Sequence, residues 1–131
     1  MTREHRESVL VVDDEEPVLE LLRAMLQDEY DVDTARNGEE ALRHCSGKAY
    51  DAVIIDIALP GKYNGFQLAE EVGRVSPEAK TILITGLALD EEHTKRALAV
   101  ADGLLAKPFD VAEITALLRK DLKLHRLPHG A

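Results

Sequence analysis

The chain has no tryptophan, a single cysteine and few aromatics, which make up 4% of its 131 residues. Scarce aromatics argue against a surface that stacks nucleic-acid bases, and they leave the core to aliphatic side chains. Basic residues are also in deficit: 16 Lys and Arg stand against 25 Asp and Glu, a formal charge of -9. A chain this acidic repels phosphate backbones, so no nucleic-acid partner is expected. Cys45 has no second cysteine to pair with. It reads as a half-buried helix residue in a reducing, cytoplasmic setting. No apolar run approaches the roughly 20 residues of a membrane span. The charged start, MTREHRES, lacks the apolar stretch of a secretory signal. Nor is there a GxxxxGK[ST] or GxGxxG phosphate loop, so a nucleotide site is unsupported.

What the chain does have is short, continuous apolar runs: VLVV at 9–12, AVII at 52–55, ILI at 82–84 and LLA at 104–106. Runs that do not alternate belong to strands buried on both faces, as in a parallel sheet. YDVDTA at 30–35 alternates with acids and reads as a half-exposed edge strand. Helical spacing falls between the runs. Residues 17–27 carry Val18, Leu21, Leu22, Met25 and Leu26, with Pro17 in the first turn. Apolar positions also recur at helical spacing over 38–46 (Ala41, Leu42, Cys45), 66–75 (Phe66, Leu68, Ala69, Val72, Val75) and 90–100 (Ala97, Leu98, Val100). A last helix is expected over 110–123, capped by Asp110 and carrying Val111, Ile114, Leu117, Leu118 and Leu122. The order βαβαβαβαβα predicts an α/β fold, a doubly wound five-stranded parallel sheet with helices on both faces. The single domain spans 1–131, with its core at about 8–123 and polar tails at 1–7 and 124–131.

In such sheets the site lies at the carboxyl ends of the strands. There the sequence places Asp13 and Asp14, Asp56, Thr85 with Gly86, and Lys107 with Pro108. Any one polar strand end is unremarkable, but together these are chemically complementary. Crowded carboxylates repel and call for a cation, and hard oxygen ligands suit Mg²⁺. A divalent ion and a lysine would neutralise a phosphoryl group. Asp56, central and following AVII, is the best candidate for a carboxylate nucleophile. The Thr85 hydroxyl could donate to a phosphoryl oxygen. The five histidines share no ligand spacing and read as surface residues.

The stretches VLVVDDEEP, DAVIIDIALPG, NGFQLAEEV, ILITG and LLAKPF together resemble the receiver domain of two-component response regulators, along the whole chain except its tails. The resemblance implies the flavodoxin-like strand order 2-1-3-4-5. It implies Asp56 as phospho-acceptor, Lys107 as contact to the phosphoryl group beside a cis Lys107–Pro108 peptide, and Thr85 as switch hydroxyl. Mg²⁺ would be held by Asp13, Asp14, Asp56 and the backbone carbonyl of Ala58. Phosphate would come from a histidine kinase or phosphotransfer domain docking on the first helix. Output would pass through the fourth helix, fifth strand and fifth helix, a face that also forms homodimers in the family. Leu104 stands where the family usually has Tyr or Phe, the loop PGKYNG at 60–65 is one residue longer than usual, and Gly86 replaces the commoner Ala. Gly86 is expected to loosen the loop into the fourth helix.

The expected function is therefore a Mg²⁺-dependent phospho-switch rather than a turnover enzyme, with self-phosphorylation and self-dephosphorylation its only chemistry. With no output domain in the sequence, the signal would pass to a downstream protein or the phosphate would be relayed. Three alternatives stand beside this: an interaction module that does not use phosphate, the receiver piece of a hybrid kinase, and a small Mg²⁺ phosphatase. The phosphatase lacks its usual DxDx[TV] pattern in VVDDEEP.

Overall fold

A computed structural model describes residues 6–126, with side chains as far as Arg119 in the last helix. Strands β1 (Glu7–Val12), β2 (Tyr30–Ala35), β3 (Ala52–Asp56), β4 (Lys80–Thr85) and β5 (Gly103–Ala106) alternate with helices α1 (Glu16–Leu26), α2 (Gly38–Gly47), α3 (Gly65–Val75), α4 (Glu91–Val100) and α5 (Val111–Arg126). The strands form one parallel sheet in the order β2-β1-β3-β4-β5. This is the expected fold. Each continuous run splits between two cores. Leu10, Val12, Val53, Ile55 and Leu83 face α2, α3 and α4. Val9, Val11, Ile54, Ile82 and Ile84 face α1 and α5. Because both faces are covered, no strand position in the centre has to be polar.

The element edges differ from expectation in a few places. β1 begins at Glu7 and α5 continues to Arg126, inside the stretches read as tails. Residues 1–5 and 127–131, with Pro128 and Gly130, lie outside the described residues. Leu21, Val75, Leu98 and Val111 sit on expected apolar stripes yet are exposed, since each stripe is wider than the face its helix buries. Cys45 is more buried than expected, and burial pushes its thiol pKa up. Of the histidines, His44 is half-buried and His93 exposed; the side chains of the other three lie outside the described residues.

The amino ends of the strands are clamped by a repeated device. Asp51 takes the Ser8 amide on its carboxylate at 2.8 Å and returns its own amide to the Ser8 carbonyl. Asp102 does the same with Thr81, at 2.9 Å and 2.8 Å. These bonds satisfy backbone groups where the ladders begin. The half-buried edge strand β2 is guarded by arginines: Arg6 donates to the Tyr30 carbonyl at 3.0 Å and Arg23 to the Val32 carbonyl at 3.5 Å. Beside them the Tyr50 hydroxyl donates to Asp33 at 2.6 Å.

At the carboxyl ends, α3 starts against the backbone of β3. A Cβ on Gly65 would lie 2.5 Å from the Asp56 carbonyl oxygen and 2.5 Å from Ile57 Cα. No side chain fits there. Gly73, in the same helix, has open space around it. Gly65→Ala is therefore expected to cost roughly 2 kcal/mol or more through overpacking, while Gly73→Ala should gain on the order of 0.5–1 kcal/mol from helix propensity. Urea unfolding of the two variants checks the contrast, and equal effects would contradict the tight seat at Gly65.

Candidate functional site

Strand register brings the site together. β1 pairs with β3 as far as Val12 with Ile55, so Asp13 and Asp56 emerge side by side. β4 pairs with β5 at Thr85 and Ala106, and the Lys107 amide donates to the Thr85 carbonyl at 2.8 Å. The sheet order reverses between β1 and β3, which opens the crevice in which the two acids lie. Asp13 is fully buried and Asp56 nearly so, while Asp14 is exposed. Each of the three offers a carboxylate oxygen, and these oxygens lie within 4.8 Å of one another.

Lys107 reaches into this cluster. Its Nζ lies 3.6 Å from Asp13 Oδ2 and 3.5 Å from Asp56 Oδ2. Both are ion pairs at the long limit of hydrogen bonding, so the lysine sits between the acids without being saturated by either. The peptide after it, Lys107–Pro108, is cis, as the resemblance implied. The outer oxygens are held by backbone: Asp13 Oδ1 accepts from the Glu15 amide at 2.9 Å, and Asp56 Oδ1 accepts from the Ala58 amide at 3.1 Å.

Burial raises the Asp13 pKa to about 6. The Glu15 amide and Lys107 act against burial, and the Asp56 charge adds to it. Asp13 Oδ2 is buried and accepts no hydrogen bond among the described residues. An orphaned buried acceptor within a set of oxygen donors, with one lysine against three carboxylates, fits a hard divalent cation.

Thr85 reaches the same rim but is otherwise engaged. Its hydroxyl accepts from the Leu87 amide and donates to the Leu87 carbonyl, both at 3.1 Å. The turn after β4 is thus held at Thr85, although Gly86 itself is exposed. Leu104 is half-buried and packs on the core beneath α2, α3 and α4. The longer loop turns at Gly61, whose φ of 93° is a glycine conformation. It ends in a capping box, with Asn64 taking the Gln67 amide and Gln67 the Asn64 amide. Sequence reading assigned no separate role to Gly65 or Tyr63 in this loop. The Asn64-Gly65 pair before an apolar helix was the available signal for the first.

Residues 9–119 match the family model described as the response regulator receiver domain. The chain is 35% identical over 102 residues to the chemotaxis protein CheY of Halobacterium salinarum, covering 77% of this chain and 84% of that one. It is 33% identical over 112 residues to the transcriptional regulatory protein TcrA of Mycobacterium tuberculosis, covering 85% of this chain and 44% of TcrA, so it spans less than half of that relative's length. Among solved structures, the response regulator TrrA of Thermotoga maritima, in complex with Mg²⁺ and BeF, superposes with a TM-score of 0.77 at 38% identity, covering 87% of this chain and 97% of that one.

The raised Asp13 pKa has a thermodynamic consequence. Between pH 4 and 6 the folded chain holds a proton on Asp13 that the unfolded chain has released, so stability falls as pH rises through that window. The loss levels off above about pH 6 and is on the order of 2 to 3 kcal/mol. Asp13→Asn should lack this component. Urea unfolding of both proteins in chelator from pH 4.5 to 7.5 tests it; parallel pH profiles would refute it.

Proposed function

The chain belongs to the response regulator receiver family, and from that premise we propose that it is a phospho-accepting switch with Asp56 as the acceptor. The observation that carries this reading is the position of Lys107, between the two buried carboxylates and fully satisfied by neither. A single cation placed that way is suited to follow a phosphoryl group arriving on Asp56. An Asp56 carboxylate oxygen attacks phosphorus while the bond from phosphorus to the donor nitrogen of a phosphohistidine breaks, and the departing imidazole keeps that electron pair. The product is an aspartyl phosphate. Lys107 then pairs with a phosphoryl oxygen.

Asp13, Asp14, Asp56 and the Ala58 carbonyl would hold Mg²⁺. When bound, the ion offsets the charge of the carboxylates and of the incoming phosphoryl oxygens. The Ala58 amide on Asp56 Oδ1 keeps the acceptor's orientation. Water later attacks phosphorus, the bond from phosphorus to the Asp56 oxygen breaks, and the carboxylate is returned as inorganic phosphate leaves, so the chemistry amounts to self-phosphorylation and self-dephosphorylation.

Switching follows from Thr85. Its hydroxyl cannot both hold Leu87 and donate to a phosphoryl oxygen, having one proton to give. Phosphorylation adds about 1.5 to 2 negative charges at this point. That favours the arrangement in which Thr85 lets go of the Leu87 carbonyl and α4 is released. The donor is a histidine kinase or phosphotransfer domain docking on α1, where Leu21 is 53% exposed. The output face is α4, β5 and α5, carrying Leu98 and Val111 exposed, with exposed Leu87 in the turn before α4, and it receives a downstream protein or a second copy. A reducing, cytoplasmic setting accords with the free Cys45, and among the described residues no helix is long and apolar enough to cross a membrane.

Acetyl phosphate, or beryllofluoride as a mimic, with Mg²⁺ provides the test. Wild type should gain one phosphoryl group by intact mass and shift the amides of α4, and Asp56→Asn should do neither. Lys107→Ala should still be phosphorylated but lose the α4 shift. An unmodified wild type would instead favour the reading as an interaction module that does not use phosphate.

A further inference from the structure

The longer loop after Asp56 is fastened at a point that lies outside the acidic cluster. A Cβ on Gly38 would lie 2.8 Å from Tyr63 Cβ and 2.9 Å from Tyr63 Cδ2. Tyr63 therefore rests directly on the backbone at the start of α2, in a seat that only a glycine leaves open. The ring packs on the core beneath α2 and α3, and Lys62 Nζ lies 5.5 Å from its centroid. It also borders an open hollow of about 320 Å³, so Gly38 is a principal support.

The corner that carries Gly38 is joined to the other acid. Asn37 caps α2 through the Glu40 amide, at 2.8 Å. The Arg36 amide donates to the Glu40 carboxylate at 2.6 Å. The Ala35 carbonyl accepts the Asp13 amide at 3.1 Å. The 57–64 loop is thus pinned at Ile57 on the Ile84 carbonyl (2.9 Å), at Ala58 on Asp56, at buried Leu59 in the core, at Gly65 on Ile57 (3.0 Å) and at Tyr63 on Gly38. Of these, only Tyr63 ties the loop of one acid to the corner beside the other.

We infer that Tyr63, seated on Gly38, is a positioning residue that braces the 57–64 loop and so holds Ala58 in register with Asp56 and Asp13. The inference rests on the receiver reading for its functional meaning, but its mechanical content is separate. Loss of the brace loosens the oxygen set offered to a cation and slows entry of the phosphoryl group. The phenol hydroxyl plays no part, because the contact is made by Cβ and the ring.

The test is a Mg²⁺ titration of the metal-free chain, following the Ala58 and Glu15 amides by ¹⁵N NMR, with acetyl phosphate uptake measured in parallel. Tyr63→Ala should bind Mg²⁺ roughly tenfold more weakly, the low end for an outer support, and take up phosphate more slowly. Tyr63→Phe should match wild type. Gly38→Ala should reproduce the Tyr63→Ala defect, because its methyl displaces the ring. Added to Tyr63→Ala, it should do less harm than it does alone, because Cδ2 and Cγ are gone and only Cβ remains close. Tyr63→Leu gives the same comparison if Tyr63→Ala proves unstable. A wild-type Mg²⁺ midpoint in Tyr63→Ala or Tyr63→Leu, or additive effects of the Gly38 and Tyr63 changes, would overturn the inference. If wild type takes up no phosphate while the Mg²⁺ midpoint still shifts, the receiver reading fails and the brace stands.

Discussion

Everything at the rim of the sheet depends on the unresolved charge between Asp13, Asp56 and Lys107. Two carboxylates are buried side by side and one lysine is placed 3.5 to 3.6 Å from both. Burial alone makes this arrangement costly, which is why Asp13 is displaced to about pH 6. A protein evolved only for stability would replace such a group with an apolar one of the same shape. Its retention makes sense if the missing stabilisation arrives with a cation and a phosphoryl group. The same deficit is then what makes those ligands bind.

The fold concentrates that cost in one place. At the amino ends of β3 and β5, Asp51 and Asp102 each exchange two hydrogen bonds with the neighbouring strand. At the carboxyl ends of β1 and β3, Asp13 and Asp56 keep oxygens that the sheet does not satisfy. One residue type thus does opposite work at the two edges of the same sheet. The difference comes from register: an aspartate just before a strand can fold back onto a ladder amide, whereas one just after it points into the crevice where the strand order reverses. Two largely apolar faces, one toward α1 and α5 and the other toward α2, α3 and α4, support the charged rim.

The sequence made the strands, the helices and the polar strand ends legible because each is written in adjacent residues: a continuous apolar run, a 3.6-residue period, an acid after VLVV. Legibility stopped where contacts cross long distances in the chain. Nothing near Tyr50 announces that it bonds Asp33, and nothing near Gly38 announces Tyr63. Fully buried Lys80 at the head of β4 likewise breaks the expectation that lysines stay outside. Periodicity also located the apolar stripes without fixing their width, so Leu21 and Leu98 fell on the stripe and outside the core. Those same two side chains lie on α1 and α4, the helices proposed to meet other proteins, where a helix has reason to keep apolar surface exposed.

Leu104 bears on how the rim communicates with α4. An aromatic at this position would be a large body able to occupy either an inward or an outward site. Leu104 is already half-buried on the core beneath α2, α3 and α4, and a smaller aliphatic side chain gains little by moving. In the proposed switch the burden of transmission would therefore fall on the backbone turn that Thr85 holds through Leu87. In that switch the Leu87 carbonyl and a phosphoryl oxygen would compete for the single proton of the Thr85 hydroxyl. Phe66 extends the path, because Arg96 of α4 stacks on its ring at 4.5 Å and it follows directly on Gly65, the residue that abuts Asp56. A helix tied to β3 through Phe66, and joined to the Thr85 hydroxyl through the turn at Leu87, would under that proposal respond to Asp56 without a swinging aromatic.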